Sequence, residues 1–450
     1  MDELSTFFHC SSKSYQELVT ANASGVNMIP PAYFYLMWTI DNILGLDKIV
    51  MRIVPLLFGV LSIIICNKIL NLYFDRETSI LSSFTVLSHC PIFLFSICES
   101  RPYSLYLFLV LLLIYVSSLN TCRINFTIST FLNFLIPGTF YFGGIYCVSI
   151  CFMVCVYKYL NKLPLKSYLF SCFAGWFLFL VFIFPTFWDQ INSTYTLHLK
   201  SISYLHSSAL FSLQGMQVYL PVSLVILVLI STKRINSFHS GFYLTFILIS
   251  LLLVPILIFL ICKIFHFKMF QERYFIPSLF FYIIFYCTLI HNFQIINLKK
   301  IFIKLHIFYC FVILTYLTSS YARAFNSDDF SDSLESLKNN DYPIFTFSRR
   351  VAFQLCFEDR STYLIVADKN YSNHMSAFSK FLKPIPVNKF YSILNKKLSE
   401  FDKVYYIYTP WVNEDINQIK NEFLRYGISF EKIDIQRSNH INSIYSLSKN

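Results

Sequence analysis

Three short stretches of this 450-residue chain carry side chains suited to chemistry at a charged substrate. Asp2-Glu3 places two carboxylates beside the first residue. Glu99-Ser100-Arg101-Pro102-Tyr103 sets an acid and a base around one serine, just before an apolar run. Lys268, Glu272, Arg273 and Tyr274 gather at the entrance of another apolar run. An arginine at such an edge can bind a phosphate through two parallel hydrogen bonds while its stem lies along hydrocarbon. The same residue also reads as an interface anchor, and so does Arg52, just inside the first long apolar run. Glu99 with Arg101 also reads as an ion pair that pins a loop. Taken alone, Asp2-Glu3 reads as a solvated terminus.

The elements that must position these residues are mostly apolar. The mean hydropathy is +0.55, with 56% hydrophobic and only 14% charged residues, against about a quarter charged in a soluble globule. A bilayer crossing needs roughly 20 apolar residues. Spans are expected near 49–72, 78–97, 102–119, 126–140, 142–157, 168–187, 213–231, 241–262, 274–291 and 304–321. Pro137-Gly138 is expected to break the fourth from the fifth. The run at 30–40 is too short to cross and ends at Asp41, so it reads as an interfacial helix anchored by Tyr33, Tyr35 and Trp38. With ten spans, one side holds eleven Lys or Arg and the other nine. The positive-inside rule makes the first side cytoplasmic. Eight of the ten acids of the membrane part fall on the opposite, outer side, and none lies at mid-span. Ion-coupled transport usually places ionisable groups within the bilayer, so the chemistry is expected at the outer surface.

The remainder of the chain differs in character. Residues 327–450 carry 16 basic and 15 acidic residues, and the preceding part carries 20 and 10. The Tyr-, Ile- and Val-rich runs 343–348, 362–368, 403–409, 428–435 and 443–448 read as strands. Amphipathic stretches near 371–382 and 413–426 lie among them, so a small α/β domain is expected on the outer face. It contains no Gly-rich phosphate loop. The thirteen cysteines show no paired CxxC and no zinc spacing. Cys147, Cys151 and Cys155 recur on one helical face as packing residues. The basic residues form no stripe with interleaved aromatics, which argues against nucleic acid. No cleavable leader is expected before the first apolar run. Asn22-Ala-Ser and Asn192-Ser-Thr are glycosylation tripeptides of a kind that arises often by chance.

In order along the chain, five features form a series. They are Asp2-Glu3, then Pro30-Pro31 with Tyr33 and Tyr35, then Gly45 through Arg52 to Pro55. Glu99-Ser100-Arg101-Pro102-Tyr103 and Arg273-Tyr274 with Pro277 complete it. This series resembles the GT-C class of lipid-linked-sugar glycosyltransferases, which includes protein O-mannosyltransferases and aminoarabinose transferases. The resemblance covers most of residues 1–320. Where many relatives carry Thr-His-Tyr in an outer turn, this chain has Thr139-Phe140-Tyr141. The family also has a transmembrane helix before its acid pair, so the first helix is expected to be missing from this chain.

The resemblance implies a polytopic α-helical, GT-C-like membrane domain over 1–326, with about ten spans and an outer first loop over 1–48. The α/β domain over 327–450 follows it. It implies a multi-pass protein of the plasma (inner) membrane, with the C-terminal domain extracytoplasmic. The implied reaction moves a hexosyl or pentosyl group from a polyprenyl phosphate to an unidentified lipid, glycan or protein acceptor. Asp2 would be the general base, with Glu3 as its alternative or as an acceptor contact. Arg273 leads, with Arg101 and Lys268, as the cation on the donor phosphate. Glu99, Tyr103, Arg52 and Tyr274 would support the site. No cofactor or metal is required, although an acid-rich outer pocket suits a divalent ion. The competing reading is a polytopic transporter of lipid or polysaccharide, or a polysaccharide polymerase.

Overall fold

The structure, a computed structural model, describes residues 14–23, 29–45, 48–89, 91–119, 124–192, 272–280, 342–346, 362–366, 382–408, 416–433 and 443–449. It also describes Thr6, Cys10, Val254, Leu257, Ile283, Ile284 and Cys287 singly. Backbone contacts divide the chain into two compact units, Asn27–Leu317 and a second made of Met1–Val26 with Thr318–Asn450.

Helix α1 (Tyr15–Ala23) belongs to the second unit and starts where the Ser14 hydroxyl accepts the Glu17 N–H at 3.2 Å. That satisfies one of the amides a helix start leaves open. Asn22 in its last turn is fully buried, so the acceptor side chain of the tripeptide there is not accessible in the folded protein.

The first unit is helical. Helix α2 (Ala32–Leu44) buries Tyr33, Phe34 and Met37 and exposes Ile43 and Leu44, as an amphipathic interfacial segment does. Gly45 ends it in a left-handed conformation (φ +77°), returning its N–H to Asp41 at 2.9 Å. Helix α3 (Lys48–Leu70) follows, then α4 (Arg76–His89), α5 (Pro91–Cys98), α6 (Tyr103–Ser118), α7 (Ile124–Thr139), α8 (Gly143–Leu160), α9 (Lys166–Phe182) and α10 (Phe184–Asn192). Asp75 caps α4, taking the Thr78 N–H at 3.0 Å and the Thr78 hydroxyl at 2.8 Å.

Among the described residues, Ile49–Leu70 and Gly143–Leu160 are long and apolar enough to cross a bilayer. The pair Lys166–Phe182 and Phe184–Gln190, bent by 46°, makes a third if it is one span. Helices α6 and α7 match two further expected spans, at 16 residues each. The span expected over 78–97 is instead divided between α4 and α5 at Pro91, which lacks an amide and whose ring clashes with the preceding turn. The break expected at Pro137-Gly138 falls later, at 140–142, because Pro137 fits within the last turn of α7. The spans expected at 213–231 and 304–321, and all of 241–262 except Val254 and Leu257, lie outside the described residues, so the expected total of ten is not tested.

Helices α7 and α9 approach closely at Gly175, where a Cβ would meet the Thr130 carbonyl oxygen at 2.5 Å. Small residues permit such approach between membrane helices. Beside it the Cys151 thiol donates to Asn133 Oδ1 at 3.3 Å, and the Cys172 sulfur lies 3.1 Å from that of Cys151. The cysteine face of α8 is therefore packed, as expected, and Cys172 joins it from α9.

Residues 342–449 build a six-stranded sheet from β1 (Ile344–Thr346), β2 (Thr362–Val366), β3 (Leu382–Pro386), β4 (Val404–Tyr408), β5 (Ile428–Ile433) and β6 (Ser443–Lys449). Their order is β3-β2-β1-β4-β6-β5. The first four run parallel, and β6 is antiparallel to both β4 and β5. Helices α11 (Val387–Glu400) and α12 (Ile416–Arg425) complete the α/β fold. The core joins Phe345, Phe390, Leu394, Tyr406, Phe423 and Leu447. Strand β3, with Pro384 and Pro386, is one edge of the sheet and was not expected from the sequence.

Candidate functional site

The loop between α5 and α6 is a tight reversal. The Arg101 N–H donates to the Glu99 carbonyl oxygen at 2.7 Å, and Pro102 then opens α6, where no amide is needed. Ser100 is fully buried, with its hydroxyl 3.3 Å from the Tyr33 hydroxyl of α2. Arg101 is only 6% exposed. A guanidinium at that depth is not a surface anchor, because a buried charge must be compensated. Glu99 is half-buried.

A second segment meets this loop. Residues Glu272–Ser278 form a 3₁₀ turn that contains Arg273, Tyr274 and Pro277. Phe140, from the turn between α7 and α8, joins the two segments. Its ring lies 5.7 Å from that of Tyr103 and 4.9 Å from that of Tyr274. Phe142 covers Tyr274 from another side at 5.3 Å, and Tyr106 touches Phe140 at 5.2 Å. Such ring pairs contribute about 0.5–1.5 kcal/mol each beyond simple burial. Tyr146 of α8 packs edge-on to Tyr106 at 6.0 Å, and its hydroxyl lies 2.6 Å from the Ser278 hydroxyl.

The Phe140 turn is held by contacts of its own. Gly143 sits so close to α7 and α6 that a Cβ would meet Ile136 Cγ2 at 2.7 Å, the Ile136 carbonyl oxygen at 2.9 Å and Tyr106 Cε2 at 3.0 Å. The Tyr141 hydroxyl donates to Gln190 Oε1 at 2.8 Å, and Gln190 Nε2 reaches the Ile29 carbonyl at 3.3 Å. Burial, and secondarily Tyr35, holds the Tyr141 hydroxyl well above the usual tyrosine range, so it stays a neutral donor.

The fold therefore brings together Glu99, Arg101 and Tyr103 with the turn that carries Arg273 and Tyr274. Arg52 lies in the first turns of α3 and is half-buried. Asp2, Glu3 and Lys268 lie outside the described residues, as does the side chain of Arg273. Among the described residues no group of three or more His, Cys, Asp or Glu is placed to hold a metal ion. The sequence did not single out Tyr106, Tyr146 or Ser278. It marked Phe140 only as the residue standing where many relatives carry His, within the aromatic- and glycine-rich GTFYFGG (138–144).

No family model and no curated protein matches the sequence. A solved structure is similar in fold. ArnT from Cupriavidus metallidurans, crystallised bound to undecaprenyl phosphate, matches 93% of this chain and 88% of its own, with a TM-score of 0.61 at 9% identity. The chain has an ArnT-like fold. The apo-state structure of ArnT from the same organism is similar at a TM-score of 0.46 and 11% identity, over 99% of this chain and 92% of that one. At these identities the likeness lies in the path of the backbone. An ArnT-like fold agrees with the expected helical architecture. Within that ArnT-like frame, the Glu99–Tyr103 loop and the Glu272–Ser278 turn are neighbours.

Proposed function

We propose that this chain is a membrane glycosyltransferase that moves a sugar from a polyprenyl phosphate to an acceptor at the extracytoplasmic face. One convergence carries the reading. Two motif segments remote in sequence meet on Phe140, within a fold like that of a protein crystallised with undecaprenyl phosphate. In the reaction the acceptor hydroxyl attacks the sugar's anomeric carbon, and the bond to the phosphate oxygen breaks. The leaving group is already a phosphate anion, so the reaction needs a base for the acceptor proton and cations for the developing charge.

Asp2 is assigned as the base, with Glu3 as its alternative or as an acceptor contact. Arg273 leads the cations, with Arg101 and Lys268 beside it, and the burial of Arg101 supports a charge held in fixed geometry. Glu99, Tyr103, Arg52 and Tyr274 shape and anchor the site. The C-terminal α/β domain is assigned to acceptor recognition or to covering the site. No metal is needed for a departing phosphate met by these cations.

Native membranes containing the chain, supplied with polyprenyl phosphates bearing a radiolabelled hexose or pentose, provide the test. Transfer should occur in the wild type and fall by about a hundredfold or more in Asp2→Asn and in Arg273→Gln. Membrane insertion should be unchanged in both. Full transfer by both variants refutes the site, and absence of transfer from every donor refutes the class.

A further inference from the structure

The Tyr146–Ser278 contact is the described polar bridge between α8 and the 3₁₀ turn. Tyr146 is fully buried, and Ser278 is half-buried. The tyrosine ring is fixed from the side by Tyr106, so its hydroxyl is held at one point in space. Ser278 ends the turn that begins at Glu272, and Pro277 stiffens that end. Toward the other end, Tyr274 is seated between Phe140 and Phe142. The turn is thus gripped twice, by rings beside Arg273 and by a hydroxyl pair at its far end. Ring contacts resist displacement of the turn but tolerate sliding and rotation. A 2.6 Å hydrogen bond between two sheltered hydroxyls is directional and so constrains its angle as well as its place.

We propose that Tyr146 and Ser278 are positioning residues that set the approach of Arg273 to the lipid phosphate. The inference rests on the transferase reading above and extends it to residues that touch neither donor nor acceptor. A two-pronged guanidinium contact to a phosphate is sensitive to the angle of the backbone that carries it. Loss of the clamp therefore acts only while Arg273 is present to be aimed.

That dependence separates positioning from general support. Binding of undecaprenyl phosphate in detergent micelles to the purified full chain is measured for the wild type, Tyr146→Phe, Ser278→Ala, Ser278→Thr and Arg273→Gln. The double variants Tyr146→Phe/Ser278→Ala and Tyr146→Phe/Arg273→Gln complete the set. Tyr146→Phe and Ser278→Ala should each weaken binding by about tenfold, the double variant no further, and Ser278→Thr should retain affinity. In the Arg273→Gln background, Tyr146→Phe should produce no additional loss. Additive losses with Arg273→Gln, or unaltered binding in both single variants, overturn the positioning role alone. Absence of binding by the wild type overturns the donor assignment and the positioning role together.

Discussion

Gly143 and Gly144 are adjacent, share the first turn of α8, and are expected to respond oppositely to one added methyl group. At Gly143 the methyl would meet Ile136 Cγ2 at 2.7 Å, the Ile136 carbonyl oxygen at 2.9 Å and the Tyr106 ring at 3.0 Å. Neither the carbonyl nor the ring is a free end: one belongs to the α7 backbone and the other is buried against Phe140 and Tyr146. At Gly144 the nearest atom is Pro137 Cβ at 3.6 Å, an ordinary contact. Alanine gains up to about 1 kcal/mol over glycine in a helix, and that gain is common to both sites. Overpacking of a tight contact costs about 1–3 kcal/mol, and it applies to Gly143 alone. Gly144→Ala should therefore be neutral or mildly stabilising, whereas Gly143→Ala should fall below the wild type by about 1–2 kcal/mol. Thermal midpoints of the purified variants in one detergent give the ranking. Because the displaced atoms lead directly to Phe140, Gly143→Ala should also weaken undecaprenyl phosphate binding more than Gly144→Ala does. Equal midpoints for the two variants, or a lower one for Gly144→Ala, would refute the packing of the α7–α8 turn.

Two further outcomes follow, one from a contact remote from that turn and one from a bond that holds it. Diamide, which takes up two electrons and two protons as a thiol pair becomes a disulfide, should link Cys151 to Cys172, whose sulfurs lie 3.1 Å apart. Peptide mapping without reductant reads the link; if both thiols remain open to alkylation after unfolding, the α8–α9 packing is wrong. Tyr141→Phe removes the 2.8 Å bond to Gln190 and should cost about 1 kcal/mol of stability. An unchanged thermal midpoint would mean that this bond does not hold the Phe140 turn.

The sequence was most readable where local pattern and tertiary role agree. The runs later found as β1, β2, β4, β5 and β6 are rich in β-branched and aromatic residues, and each lies within two residues of its expected bounds. Strand β3 escaped because Leu382–Pro386 contains two prolines, which lower any local strand signal, while its partner β2 supplies the pairing. Pro91 divides one expected span, yet Pro137 does not end its helix where expected. The two sites look equivalent locally, and the Gly143 contact with α6 and α7 places the second break farther along.

At the site, residue types were legible and depth was not. Arg101 and Tyr103 stood out beside Pro102, but nothing local distinguishes a guanidinium that is 6% exposed from one at the interface. Phe140 reads as an ordinary packing residue in GTFYFGG. Its role comes from Tyr103 and Tyr274, which reach it from opposite parts of the chain. Likewise Tyr146 and Ser278 are 132 positions apart, and no local pattern marks such a pair.

Strand β3 has a consequence for the protein's company. Its partner β2 covers one side, and among the described residues no strand pairs with the other, which makes it a margin of the sheet. Pro384 and Pro386 are two residues apart, so their backbone nitrogens face the same way, and neither carries a proton. Prolines in a sheet are confined to the side where the ladder needs no donor, so on this edge strand the two deprive an arriving strand of two successive donors. The flaw that hides β3 from a sequence reader thus makes this margin a poor template for another chain's strand, and it guards the α/β domain against fibre-like growth there.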